Sequence, residues 1–430
     1  MAYNHFVPQF ILKQYDKKLN VYSIKECKLD TNRTSKRIFG EEELYGQELE
    51  DMFTKMEGIF SNVYYNKILS DKIELTTKEI LIVKKYLLIS QIRVEMSIEN
   101  DDRDEEEYIK KYNLNRFKED KISKLKRAVK SIIECVSFEE LLNNKNTTGA
   151  TIKWATIYEL CHLVFWDSKK VEEDFIISDT GMTCEHEYSK IVYNEELSKR
   201  FCFVKQFEKI KNFDFKNAKK YDKFQNNDLR TIQANFYVFN ISKDRMIALV
   251  NPFYKHHPIY KNKLSYDFID IFPTLMSHEA MAPNEFELTP KSKIENDIER
   301  KYNFEIKNLT LEEIVYINNL ILDRVDNYLA FVDKDKIKRS VSTYAFLPIK
   351  NIDYDNQSND LISDAIDNTN DINKKYSNLF DIYENLDEEY NTIFCKYKED
   401  CNEQQKTAFA YATAFNNFLI SSGDKKNFKK

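Results

Sequence analysis

A few polar residues lie in stretches of this chain that are otherwise apolar, and their types suit an active site. His5 and Gln9 belong to the apolar opening segment, residues 4–12. A histidine there supplies a base near neutral pH. Glu50 and Glu57 are seven residues apart, close to two helical turns, so both carboxylates lie on one edge of the same predicted helix. Because two such carboxylates repel unless a cation or a proton lies between them, the spacing favours a divalent metal.

Two amides and an aspartate extend this set. Gln91 and Asn318 each fall within the apolar stripe of a predicted helix, and a buried amide needs hydrogen-bond partners. Asp179 directly follows an apolar, β-leaning run, residues 175–178, and the end of a buried strand often carries catalytic or metal-binding groups. Arg93, by contrast, is predicted to point to the other side of its helix, at the surface.

Each of these residues also has a purely structural interpretation. Glu50 and Glu57 could form the solvated flank of an amphipathic helix, and His5 could be a packed, hydrogen-bonded core residue. Paired buried amides are common, and an aspartate after a strand often forms an Asx-turn. From the residues alone both interpretations stay open.

Hydrophobic periodicity and capping signals predict the elements that position these residues. The predicted helices cover residues 41–70, about 76–98, 108–142 and roughly 374–420. A further predicted helix begins at Thr310 and carries an apolar stripe as far as Tyr328. The predicted strands cover residues 21–24, 175–178, 200–204, 236–241 and 246–250. Capping boxes mark two helix starts, Thr76 with Glu79 and Thr310 with Glu313.

This order of helices, strands and helices indicates an α+β fold rather than an alternating α/β fold. We expect a helical N-terminal part packed on a mixed or antiparallel central sheet, with a C-terminal helical extension. The predicted domains are residues 1–350, an acidic and Asn-rich linker at residues 351–373, and a C-terminal helical region at residues 374–430.

Composition excludes several classes of protein. The net charge of −6 comes from 65 basic and 71 acidic residues, so no global field draws the chain to nucleic acid. With six glycines and no Walker, Rossmann or Gly-x-Ser-x-Gly motif, the usual nucleotide-cofactor enzymes and α/β-hydrolases are disfavoured. No membrane span or signal peptide is indicated, and seven scattered cysteines fit a reducing compartment, so we expect a cytoplasmic protein.

Several short motifs together resemble the bacterial family called domain of unknown function 4238. The opening segment, residues 4–15, is similar to the family's start, and Glu50 with Glu57 looks like its paired-glutamate helix. The remaining similar elements are residues 91–93, 177–181 and 271–277, and Asn318. The resemblance spans roughly residues 4–345. It implies that His5, Glu50, Glu57, Gln91, Asp179 and Asn318 form one recurrent set, and the kind of family implies a role in bacterial antiviral defence.

The chemistry that best suits this set is metal-assisted hydrolysis of a phosphodiester, as in a nuclease. Glu50, Glu57 and Asp179 would hold Mg²⁺ or Mn²⁺, and His5 would act as general base toward water or stabilise the leaving group. Gln91 and Asn318 would orient the substrate or the carboxylates, and Gln9 completes the set of predicted catalytic residues. Two alternatives stay open: a non-catalytic binding module whose polar network is structural, and a metal-free nucleotide transferase that works with His5 and Glu57.

One basic stretch of the sequence resembles a nucleic-acid-binding surface. Between Lys205 and Lys220, six lysines are interleaved with three phenylalanines. Such a surface can track a phosphate backbone and stack bases. In a chain this rich in lysine, a solvated lysine-rich face is the commoner explanation of such a stretch.

Overall fold

The computed structural model describes two blocks of helices separated by strands. It describes residues 3–42, 45–97, 106, 109, 110, 112–184, 236–250, 298–344, 371, 372, 374–376 and 379. The helices are α1 (Gln9–Tyr15), α2 (Gln47–Val63), α3 (Thr77–Ser97), α4 (Lys121–Glu134), α5 (Phe138–Asn143), α6 (Gly149–Leu160), α7 (Leu311–Arg324) and α8 (Lys338–Tyr344). A π-helical turn, Tyr64–Ile68, continues α2.

The strands form four sheets within these residues. They are β1 (Tyr3–His5), β2 (Lys18–Ser23), β3 (Lys28–Thr34), β4 (Gly40–Glu42), β5 (Ile73–Thr76), β6 (His162–Asp167), β7 (Ile177–Ser178), β8 (Met182–Cys184), β9 (Phe236–Asn240), β10 (Arg245–Val250), β11 (Lys301–Phe304), β12 (Ile306–Asn308) and β13 (Tyr328–Phe331). The largest sheet has the order β12-β6-β10-β9-β8, and a second has the order β3-β2-β13-β7. The pairs β1-β4 and β11-β5 complete the set.

The five-stranded sheet is buried on both faces, which explains its continuous apolar runs. In β6, Leu163 and Phe165 face one core cluster, whereas Val164 and Trp166 face another. Strand β10 alternates in the same way. The first core lies between this sheet and the N-terminal helices, and the second lies between the sheet, α7 and β13. The expected α+β fold is therefore confirmed, with a mixed sheet in which only β12 runs parallel to its neighbour among the described strands.

Both predicted capping boxes are present. At α3 the backbone N–H of Thr76 donates to Glu79, and the backbone N–H of Glu79 donates to the Thr76 hydroxyl, at 2.8 and 3.2 Å. The same reciprocal pair joins Thr310 and Glu313 at the start of α7. These short-range signals located the starts of the two helices that carry Gln91 and Asn318.

Other element predictions need correction. Helix α2 begins at Gln47 rather than near residue 41, because residues 40–42 pair with β1 instead. The predicted helix over residues 108–142 is two helices, α4 and α5, preceded by irregular chain at residues 114–120. Tyr328 does not continue the stripe of α7; it begins β13, which inserts between β2 and β7.

The second core also contains residues from the far end of the chain. Ile372, Tyr376 and Leu379 are buried there, and Tyr376 stacks on Tyr22 with ring centroids 5.9 Å apart. Ile372 falls in the predicted linker at residues 351–373. The start of the C-terminal region therefore packs against the main fold.

Some predictions lie outside the described residues. These are the predicted strand at residues 200–204, the basic-aromatic stretch from Lys205 to Lys220, the family-like element at residues 271–277, and all but six residues of the predicted linker and C-terminal helical region, 351–430. Among the described helices, none has the length and apolar character needed to cross a membrane.

Candidate functional site

The N-terminal segment is fixed to the body of the protein by backbone hydrogen bonds. Strand β1 pairs antiparallel with β4, with His5 opposite Gly40, and the N–H of Phe6 donates to the Phe39 carbonyl at 2.7 Å. Pro8 then ends the extended path and precedes α1, a position where its fixed φ suits a helix start. His5 and Gln9 are thus held on two sides of one sharp bend.

The hydrogen bonds of His5 define its tautomer. Its Nδ1 lies 3.1 Å from the Ile38 carbonyl oxygen, which can only accept, so Nδ1 carries the proton. Its Nε2 lies 2.7 Å from the amide nitrogen of Gln9, which can only donate, so Nε2 is the acceptor. The two contacts together describe a neutral imidazole whose Nε2 lone pair points to Gln9.

The surroundings of His5 keep the ring neutral. Burial lowers the pKa of His5 from its ordinary 6.5, and the nearby positive charge of Arg93 lowers it further, while the bond to the Ile38 carbonyl opposes both. His5 and Gln9 are nevertheless half-buried rather than sealed. At neutral pH the site therefore presents an unprotonated base near the surface.

Arg93 connects His5 to Glu57. One guanidinium nitrogen donates to the backbone carbonyls of His5 and Phe6, each at 3.1 Å, and another donates to Glu57 Oε1 at 3.2 Å. The guanidinium also lies 3.7 Å from the centre of the Phe53 ring, in a cation–π contact. Arg93 is the residue that joins α2, α3 and the N-terminal segment.

The prediction that Arg93 is at the surface was wrong. Its exposed fraction is 5%, because α3 is surrounded by other elements and is buried almost continuously from Val83 to Arg93. Within the described residues, no side of α3 faces solvent at the level of Arg93. The signal in the sequence was the dense apolar run around Arg93, in which a charged residue needs internal partners.

The two glutamates of α2 have different surroundings from those expected. Glu57 is half-buried, and burial raises its pKa; the Arg93 charge and hydrogen bond lower it, and the charge of Glu50 raises it. Glu50 is also half-buried. The spacing of the glutamates predicted a cation beside them, and the Arg93 guanidinium provides one beside Glu57.

Asp179 makes a different set of contacts. Its two carboxylate oxygens accept hydrogen bonds from the backbone N–H groups of Asp326, Asn327 and Tyr328, at 2.8 to 3.2 Å. These bonds fix the turn between α7 and β13. Of the described residues, no three His, Cys, Asp or Glu side chains are grouped so that they could hold a metal ion, so Glu50, Glu57 and Asp179 do not form such a group.

The two amides lie in separate networks. Gln91 Oε1 accepts a hydrogen bond from the Tyr158 hydroxyl at 3.2 Å, which links α3 to α6. Asn318 is fully buried; it accepts from the Ile176 N–H at 3.0 Å and donates to Asp174 and Ser340 at 2.9 Å each. The structure therefore brings His5, Gln9 and Glu57 together around Arg93. It places Gln91, Asp179 and Asn318 in their own hydrogen-bonded sites.

One contact joins the Asp179 turn to the N-terminal segment. Gly181 has a φ of +67°, and a Cβ atom added there would lie 2.9 Å from the side chain of Val7. Only glycine meets both conditions without strain. The turn after Asp179 therefore supports the bend between His5 and Gln9 through the packing of Gly181. The Asp179 carboxylate does not make this contact.

The family model described as "Protein of unknown function (DUF4238)" matches residues 3–335. The chain belongs to the domain of unknown function 4238 family. The matched range includes the whole His5–Arg93 network, the Asp179 site and Asn318, but not Ser340, one of the partners of Asn318. It ends before α8 and the C-terminal residues of the second core. Comparison with curated proteins and with solved structures finds no match.

Proposed function

We propose that this member of the domain of unknown function 4238 family is an enzyme that cleaves phosphodiesters with His5 as the general base. The observation that carries the proposal is the bonding of His5. Its Nδ1 proton is held by a backbone carbonyl and its Nε2 is an acceptor. A histidine oriented in this way can take a proton from a hydroxyl group at neutral pH.

In the proposed reaction a substrate hydroxyl or a water molecule replaces the Gln9 amide at His5 Nε2. Gln9 begins α1, and its side chain is half-buried, so it can turn toward the substrate instead. The nucleophile gives its proton to Nε2 as its oxygen forms a bond to phosphorus, the bond from phosphorus to the leaving oxygen breaks, and water protonates that oxygen. Gln9 then acts as a binding residue, because it exchanges its hydrogen bond to His5 for one to the substrate.

Arg93 and Glu57 act as positioning residues in this scheme. Arg93 is 5% exposed and already contacts two carbonyl oxygens and Glu57, so it holds the backbone that carries the imidazole. Glu57 in turn holds Arg93. Neither group needs to contact the substrate.

The proposal differs from the sequence-based hypothesis in that it requires no bound metal. Both Asp179 oxygens accept backbone N–H bonds, and Glu57 is paired with Arg93, so these carboxylates do not fit a shared Mg²⁺ or Mn²⁺ site. The choice of a phosphodiester is supported by the alternating lysines and phenylalanines between Lys205 and Lys220.

The test is cleavage of bis(p-nitrophenyl) phosphate, single-stranded DNA and single-stranded RNA in EDTA. We expect the wild type to turn over at least one substrate, and His5→Ala to lower kcat by roughly 10²- to 10⁴-fold, the usual contribution of a general base. Lys17→Ala, an exposed change in the same segment, serves as the control. Loss of activity in EDTA with recovery in Mn²⁺ would contradict the proposal, as would a folded and fully active His5→Ala.

A non-catalytic binding module is the second candidate. It is favoured by the internal hydrogen bonds of Gln91, Asp179 and Asn318, which behave as structural groups. This alternative predicts that the wild type turns over none of the three substrates. It also predicts that His5→Ala changes only the thermal stability.

A further inference from the structure

An exposed aromatic ring lies at the end of α2, next to α1, the helix that Gln9 begins. The π-helical turn Tyr64–Ile68 places two tyrosines in opposite surroundings. Tyr64 is fully buried and donates its hydroxyl proton to the Ile241 carbonyl at 2.5 Å, whereas Tyr65 is 47% exposed. π-helical turns are frequent at functional sites because they redirect side chains.

Phe10 connects this ring to the His5 site. Phe10 follows Gln9 in the chain and is half-buried. Its ring centroid lies 6.4 Å from that of Tyr65 and 5.4 Å from that of Tyr64. The polar groups of the site and the exposed ring therefore adjoin the same short helix, α1.

Polar groups flank the exposed ring. Asn62 and Asn66 are exposed on the same side of the helix end, and the Asn66 amide donates to the Asn62 carbonyl oxygen at 2.6 Å. Lys13 is exposed one turn after Gln9 on α1. An exposed aromatic face with amides and a cation nearby suits a nucleobase better than an apolar peptide, because base edges need hydrogen bonds and phosphates need positive charge.

We propose that Tyr65 stacks on a nucleobase of the same single-stranded RNA whose cleaved phosphodiester lies at His5, since both residues adjoin α1; this inference rests on the proposed function. The ring provides a π-face, Asn62 and Asn66 provide donors and acceptors for a base edge, and Lys13 faces the backbone. Stacking of this kind tolerates different bases because each one has a π-face.

RNA is favoured over DNA by the chemistry of His5. A base without a metal works best on a nucleophile that is already next to the phosphorus, and the 2′-hydroxyl of RNA is such a group. The 2′-oxygen forms a bond to phosphorus, the bond from phosphorus to the 5′-oxygen breaks, and the 2′-hydroxyl proton moves to His5 Nε2. Water protonates the leaving 5′-oxygen, and the imidazolium later returns its proton to solvent. The products are a 2′,3′-cyclic phosphate and a 5′-hydroxyl.

The first arm of the test measures binding without cleavage. Fluorescence anisotropy follows a labelled eight-nucleotide 2′-O-methyl RNA, which lacks the nucleophile, against the full-length wild type and its variants. We expect Tyr65→Ala to raise the Kd by roughly 5- to 150-fold, the range for loss of one stacked base. Tyr65→Phe, which keeps the ring, is expected to bind within about 3-fold of wild type. Ile59→Ala removes another exposed apolar side chain of α2 and is expected to leave the Kd unchanged.

The second arm measures cleavage of the unmodified RNA and of DNA of the same sequence. We expect cleavage of RNA only, with a 2′,3′-cyclic phosphate product. The stacking proposal is overturned if the wild type does not bind, if Tyr65→Ala binds as tightly as wild type, or if Tyr65→Phe loses as much as Tyr65→Ala. Cleavage of DNA would overturn the assignment to RNA. Binding that depends on Tyr65 without any cleavage would leave the stacking site intact and refute the catalytic role of His5.

Discussion

Two buried arginines, Arg93 and Arg245, show how the same side chain can serve different purposes in this fold. Arg245 is 2% exposed and makes a bidentate pair with Asp167, at 2.6 and 2.8 Å. A third nitrogen donates to the carbonyls of Ile68 and Ser70, at 2.7 Å each. It therefore joins the central sheet to the chain that follows the π-helical turn.

Arg93 has weaker and less complete bonding. Its contact with Glu57 is single, at 3.2 Å, and its buried Nε atom has no hydrogen-bond partner. Its ion-pair partner is 25% exposed, whereas the side chain of Asp167 is 5% exposed. The Arg245 pair is sealed and structural, while the Arg93 network is open on the side where His5 and Gln9 lie. The Arg93 network therefore keeps polar groups within reach of solvent, which the proposed role of His5 needs.

Replacement of Arg245 is expected to have the largest effect. Arg245→Met leaves the buried Asp167 carboxylate without its partner, which typically lowers the free energy of unfolding by about 3–5 kcal/mol. Urea denaturation measures the loss. Lys169→Met removes an exposed lysine 3.5 Å from the same carboxylate and is expected to cost less than about 1 kcal/mol. A loss below about 1 kcal/mol in Arg245→Met would remove the distinction between the two arginines.

Replacement of Arg93 is expected to lower the free energy of unfolding less than replacement of Arg245 does, and to lower activity more. Because Glu57 is reached by solvent, Arg93→Met should lower the free energy of unfolding by about 1–3 kcal/mol. The pKa of His5 should rise when the positive charge is removed, so the acidic limb of the kcat profile should move to higher pH. Lys78→Met, an exposed change on α3, is the matched control. An unchanged pH profile would mean that Arg93 does not act on His5.

The smallest expected effect is on the pH dependence of stability. The pKa of His5 is lower in the folded protein than its ordinary 6.5, so below that pH the unfolded chain binds a proton that the folded protein does not. Stability should therefore fall as the pH drops through 6.5 toward the lowered pKa, and His5→Gln should show a shallower fall. Thermal melts of both proteins from pH 8 to pH 5 test this. Parallel curves would show that His5 titrates alike in both states.

The sequence signals that succeeded were local ones. The capping boxes at Thr76 and Thr310 depend on residues three positions apart, and they were confirmed. The burial of Gln91 and Asn318 followed from helical periodicity. The partners of Asn318 did not follow, because Ile176 and Asp174 are more than 140 residues away in the chain.

Two of the failures involve elements that are buried on every side, and a third comes from residue spacing. The side of helix α3 opposite the Gln91 stripe was assigned to solvent, but other elements cover the helix nearly all round at that level, so Arg93 was misplaced. Strand β6, His162–Asp167, is buried on both faces like β9 and β10. It was not predicted because it follows helix α6 after a single residue, so its apolar run was not separated from that of the helix. Tyr328 was assigned to a helix because its spacing from the stripe of α7 fits, although Arg324 ends that helix.

The pairing of β8 with β9 has a consequence for protein engineering. Cys184, the last residue of β8, lies opposite Tyr237, the second residue of β9. The chain thus leaves the central sheet and returns to it at neighbouring points, with residues 185–235 in between. Because the two strand ends are neighbours and the entropy of closing a loop changes only slowly with its length, a new connection inserted at this junction should close at little cost whatever its length. It is a natural place to graft a reporter domain or to divide the polypeptide into two complementing fragments.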